Sequence, residues 1–158
     1  FYAVDRFDAS FKIRSALEQG KIVLSNRYVL ANAAYQGAKI KNTQERQEFF
    51  NWINQLEYDT LKLPQPDLII FLHVPAEIAY ELVLKKKARA YLNGKKQDIH
   101  EADKEYLKTV EQTYLELARQ NPKITTLECA PNGQLLSIEE IKKQIINIIK
   151  SITPPTSP

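Results

Sequence analysis

Short apolar runs along this chain alternate with longer stretches in which apolar residues recur every three or four positions. Residues 7–19 carry Phe7, Phe11, Ala16 and Leu17 at broadly helical spacing, and Gly20 ends the run. K-I-V-L-S (21–25) has the pattern of a short buried strand, and residues 28–38 suit a helix. From about Gln44 a further helix is expected, with Phe49, Ile53 and Leu56 on its apolar stripe and Trp52 in the core, until Pro64 and Pro66 break it. D-L-I-I-F-L-H-V (67–74) is apolar at nearly every position, as expected of a strand covered on both faces. Pro75 suits the first turn of a helix running to about Lys87. Residues 102–120 place Tyr106, Val110, Thr113, Tyr114 and Leu117 on one helical stripe. I-T-T-L-E-C (124–129) reads as a third strand, and Ser137 and Glu140 have capping-box spacing at the start of a last helix. Strands alternating with helices argue for an α/β fold with a parallel sheet. One domain is expected over 1–152, with no internal boundary or repeat, and T-P-P-T-S-P (153–158) as a disordered tail.

Composition narrows the picture a little. At 158 residues and 44% apolar content, the chain suits one domain with a real core. A net charge of +3 is too weak to argue for nucleic acid and suits a small anionic ligand equally well. The single Cys129 excludes an intramolecular disulfide framework. No apolar run approaches the ~20 residues of a membrane span, and the opening is no signal peptide, so the default expectation is the cytoplasm. There is no methionine, not even at position 1, and F-Y-A-V-D-R-F already reads as helix. An internal fragment of a longer protein is therefore expected.

Candidate chemistry gathers after the 21–25 run. In α/β sheets, ligands bind beyond the carboxyl ends of strands. S-N-R-Y (25–28) is expected at such an end, where the guanidinium of Arg27 can hold a phosphate with two parallel hydrogen bonds. Asn32 and Tyr35 fall within two turns of Arg27, and an asparagine offers both the donor and the acceptor that complement a pyrimidine edge. The competing reading is a surface arginine with polar neighbours at a helix start. F-Y-A-V-D-R (1–6) offers an aromatic to stack on a base and Arg6 to reach its carbonyl edge; a core aromatic and a structural ion pair of Asp5 or Arg6 explain it equally. Lys85, Lys86, Lys87, Arg89, Lys95 and Lys96 suit either a lid closing on phosphates or a solvated helix face. His73 and His100 are too far apart in sequence to suggest a metal site. The four glycines, Gly20, Gly37, Gly94 and Gly133, build no G-x-x-x-x-G-K-[ST].

Together, F-Y-A-V-D-R, G-K-I-V-L-S-N-R-Y-V-L-A-N-A-A-Y-Q-G-A-K-I, P-D-L-I-I-F-L-H-V-P-A-E-I-A-Y-E-L-V, the basic stretch, D-I-H-E-A-D and Y-L-K-T-V-E-Q-T-Y-L-E-L-A resemble thymidylate kinases. The resemblance covers nearly everything before the tail. It implies a P-loop kinase-like parallel sheet, here without its first strand and P-loop, and transfer of the γ-phosphoryl group of ATP to dTMP with Mg2+. The partners implied are dTMP and ATP, with no nucleic acid, no membrane and a homodimer. By motif, Tyr2 matches the ring stacked on thymine, Arg6 the arginine at the base, and Arg27 the arginine on the acceptor phosphate. Asn32 matches the pyrimidine-edge residue, Tyr35 the ring beneath the deoxyribose, and Gln36 belongs to the same substrate-binding segment. Arg89, Lys95 or Lys96 matches the lid cation over the transferring group, and Asp98 a lid acid. Asn26 stands where the family usually has an aspartate near the phosphates and magnesium, and His73 where an aspartate is common. The fragment alone is expected to be inactive for want of a phosphate cradle. Two rivals are a deoxynucleoside kinase acting on thymidine and a non-catalytic nucleotide- or RNA-binding relative.

Overall fold

A computed structural model describes the backbone of residues 1–91 and 104–152, and their side chains apart from 86–91. The chain divides into two compact units, Phe1–Asp67 and Leu68–Pro158.

The first unit is helical. Helix α1 spans Tyr2–Glu18. Its end is closed as the sequence predicts: Gly20 takes φ +71°, and the amides of Gly20 and Lys21 donate to the carbonyls of Leu17 and Ala16. The buried face of α1 is not an aromatic one. Ala3 and Ser10 are buried, while Phe7, Phe11 and Leu17 are exposed. Phe7 and Phe11 meet edge to face at 5.2 Å. Helix α2 (Val29–Gly37) buries Val29, Ala33 and Ala34, small side chains that let it lie close against α3 (Thr43–Asn54). Asn42 caps α3, its Oδ1 accepting from the amides of Gln44 and Glu45. The helix continues as a π-helical segment, Gln55–Thr60. The buried stripe is Phe50, Ile53 and Glu57, one step round from the expected Phe49–Ile53–Leu56, and Trp52 is 54% exposed rather than core.

Residues 21–25 do not form the expected strand. A strand needs a partner for its N–H and C=O groups, and the sheet among the described residues is made of two later segments only, 69–73 and 124–128. Ile22 and Leu24 stand exposed, Leu24 at 86%.

The second unit holds the sheet. Strand β1 (Ile69–His73) pairs in parallel with β2 (Ile124–Glu128), in register from Ile69 opposite Ile124 to His73 opposite Glu128. Helix α4 (Ala76–Tyr91) follows β1 as Pro75 predicts, and α5 (Lys104–Gln120) returns the chain to β2. Val110, Thr113 and Leu117 of α5 are buried, the stripe expected from spacing. Phe71 of β1 stacks on Tyr114 at 4.7 Å and 9°. Leu72 is exposed, so β1 is not covered on both faces by the described residues. Helix α6 (Ile138–Ile152) begins with the predicted capping box: the Ser137 amide donates to Glu140 Oε2 at 2.9 Å, and the Glu140 amide to Ser137 Oγ at 3.3 Å.

Candidate functional site

Two side chains, from α1 and α2, converge on one carboxylate of the π-helical segment in the first unit. Glu57 is wholly buried. A charge at that depth needs partners, and α1 supplies the main one. Arg6 approaches as a fork, Nε donating to Glu57 Oε2 at 2.5 Å and an Nη to Oε1. Asn32 of α2 donates from Nδ2 to the same Oε1 at 3.4 Å. Tyr28 and Tyr58 lie in the same field. Burial, with Glu57 adding to it, raises the phenol pKa of each, so both stay neutral donors. Tyr28 uses its hydroxyl on the Pro64 carbonyl at 3.2 Å.

Arg27 and Tyr35 form a second contact. Arg27 is the turn into α2, with φ +65°, a backbone region that L-residues occupy only with strain. The Ser25 hydroxyl donates to the Arg27 carbonyl at 2.9 Å and holds the turn. This geometry brings the guanidinium over the Tyr35 ring, 5.0 Å from its centroid, with an Nη donating to the Tyr35 hydroxyl at 3.3 Å. Tyr35 and Asn32 are three residues apart on α2 and so share a side of that helix.

The remaining expected residues are placed as follows. Tyr2 opens α1 and is 61% exposed. Gln36 is half-buried on α2 and accepts from Lys39 Nζ at 3.0 Å. Asn26 is exposed in the turn before α2. Among the described residues no three His, Cys, Asp or Glu side chains are grouped to hold a metal ion, so Asn26 has no carboxylate set around it there that fits magnesium. Lys95, Lys96 and Asp98, and the side chain of Arg89, lie outside the described residues.

Sequence reasoning missed Glu57. Its signal was its position, seven residues after Phe50 and four after Ile53, which puts a carboxylate on an apolar stripe. It also missed the partners of His73 in the second unit. At the carboxyl end of β1, His73 meets Glu128 Oε2 through Nδ1 at 2.5 Å and Glu111 Oε1 through Nε2 at 2.8 Å. The other Glu111 oxygen accepts the Ala76 amide at 2.9 Å, at the start of α4. Burial alone would lower the His73 pKa, but the hydrogen bonds and charges of Glu111 and Glu128 outweigh it and raise it.

The first unit is helical, with polar groups gathered on α1, α2 and the π-helical segment, and the second is an α/β unit with parallel pairing. Comparison with known proteins defines the class. The family model described as thymidylate kinase matches residues 1–145. The thymidylate kinase of Mycobacterium tuberculosis (strain CDC 1551 / Oshkosh) is 32% identical over 120 residues, 75% of this chain and 54% of that protein. That of Oenococcus oeni is 31% identical over 135 residues, covering 83% and 57%. That of Symbiobacterium thermophilum is 30% identical over 155 residues, covering 98% and 64%. The chain belongs to the thymidylate kinase family, whose P-loop kinase-like α/β class agrees with the parallel β1–β2 pair. It spans between 54% and 64% of the length of these relatives.

Proposed function

We propose that this chain carries the acceptor site of a dTMP kinase, in which an acceptor phosphate oxygen attacks the γ-phosphorus of ATP, ADP leaves and dTDP forms. The observation that carries the reading is the grouping within one unit of a guanidinium, an amide and a ring: Arg27, Asn32 and Tyr35, with Arg6 beside the amide on Glu57. Phosphoryl transfer asks the protein chiefly for positioning and charge neutralisation. In this reading Arg27 leaves the Tyr35 hydroxyl to grip the acceptor phosphate with two parallel hydrogen bonds. The Tyr35 ring lies under the sugar, where a 2′-hydroxyl would meet it. Arg6 and Asn32 meet the base, Tyr2 stacks on it, and Gln36 supports the same segment. Arg89, Lys95 and Lys96 are the candidate cations for the moving phosphoryl group, and Asp98 their acid. Magnesium would travel with ATP; the described residues offer it no carboxylate set, and no step is assigned to it. A cytoplasmic homodimer that binds neither nucleic acid nor membrane completes the reading.

The test is a coupled assay of ADP release by the intact protein with ATP and either dTMP or thymidine. Turnover restricted to dTMP is expected, and turnover restricted to thymidine would overturn the reading in favour of a nucleoside kinase. Arg27→Ala sharpens it. The guanidinium meets a dianion only in dTMP, and a charge-assisted hydrogen bond contributes about 1.5–3 kcal/mol. Calorimetric titration should therefore show dTMP weakened more than thymidine; equal losses would remove Arg27 from the phosphate.

A further inference from the structure

We infer that Glu57 is a specificity-determining residue: by holding Arg6 and the amino end of Asn32 on one buried carboxylate, it fixes a donor and an acceptor that select a pyrimidine with a 4-carbonyl over one with a 4-amino group. The inference rests on the reading that Arg6 and Asn32 meet the base. A carboxylate accepts only, so whatever binds it must donate. Arg6 gives Glu57 its Nε and one Nη. Its other Nη has no partner among the described residues, and being a guanidinium nitrogen it is a donor. Asn32 gives Glu57 its Nδ2. An amide that turns its nitrogen to a carboxylate turns its oxygen away, so Asn32 Oδ1, also unpaired among the described residues, is presented as an acceptor.

The pair offered to a ligand is thus one donor and one acceptor of settled identity. A thymine or uracil ring answers with the O4 acceptor and the N3–H donor. A cytosine ring answers with the N4 amino donor and the N3 acceptor, and both contacts become like against like. A free asparagine could rotate its amide to suit either edge; Glu57 removes that choice. Its complete burial makes the constraint strong, because an inverted amide would aim Oδ1 at a desolvated carboxylate.

The experiment is Glu57→Gln in the intact protein, with dTMP and dCMP titrated against it and against wild type. A glutamine accepts or donates, so the Asn32 amide regains its freedom while Arg6 keeps an acceptor. The Kd ratio of dCMP to dTMP should fall at least about tenfold, with dTMP itself weakened less than dCMP is strengthened relative to it. A residue that merely supported the fold would change both affinities together, and an unchanged ratio would overturn the inference. Failure of wild type to bind dTMP would instead defeat the acceptor-site reading, which separates the two. Should Glu57→Gln not fold, wild type decides alone by NMR. On addition of dTMP the Asn32 Nδ2 protons should keep their resonance and show no cross-peak to the base. A cross-peak from those protons to the base would sink the idea.

Discussion

Arg6 and Glu57 show how one buried pair carries stability as well as the proposed selectivity. Removing one partner of such a pair leaves an uncompensated charge, at about 3–5 kcal/mol, whereas replacing both by apolar groups is often nearly neutral. Arg6→Met should therefore destabilise the protein by that amount, and Arg6→Met/Glu57→Leu should recover most of it, as read by urea unfolding. Additive losses would show that the two residues are not a unit. Arg27 presents a different cost, held in its backbone. With φ +65°, an alanine keeps the strain while a glycine relieves it. Arg27→Gly should be more stable than Arg27→Ala by about 1 kcal/mol, although both lose the guanidinium. Equal melting temperatures would mean that the turn rearranges when the side chain goes. Strain at a residue also singled out for phosphate binding supports, from an independent direction, the reading of Arg27 as functional.

At the scale of elements, one imidazole adds a side-chain tie that links β1 to both β2 and α5. Because its folded pKa is raised, the His73 contribution is fully present below the unfolded value of about 6.5 and is lost as pH rises through the folded value. The melting temperature should fall over that window in wild type and change less in His73→Asn; parallel profiles would remove His73 from the linkage. Ser137→Ala should cost about 1 kcal/mol at the start of α6, visible as faster amide exchange in its first turn, and unchanged exchange there would mean that the box contributes nothing. The capping box was legible in sequence because it is local: its whole geometry lies within four residues. So were the start of α4, marked by Pro75, and α5, whose stripe repeats at a fixed period. The run at 21–25 was misread because apolar character marks a segment able to pair, not the neighbour it pairs with. Among the candidate site residues, the motif named Arg6, Arg27, Asn32 and Tyr35. The carboxylate that joins two of them was not legible, because its partners are 51 and 25 residues away.

Over the whole molecule, the family match runs through both units, from residue 1 to 145. The long-range contacts within each unit have a bearing on time as well as on stability. His73 reaches Glu111 across 38 residues and Glu128 across 55. Parallel pairing between segments so far apart closes a large loop before any contact rewards it, so such links form late on the way to the native state. An interaction absent from the transition state acts on the rate of leaving the native state rather than on the rate of reaching it. His73→Asn should therefore speed unfolding in stopped-flow measurements and leave the refolding limb nearly unchanged. A slowed refolding limb would place the clasp in the folding nucleus. If the clasp forms late, the imidazole acts as a latch on the native state: raising the pH past its folded pKa shortens the lifetime of the folded protein without delaying its return.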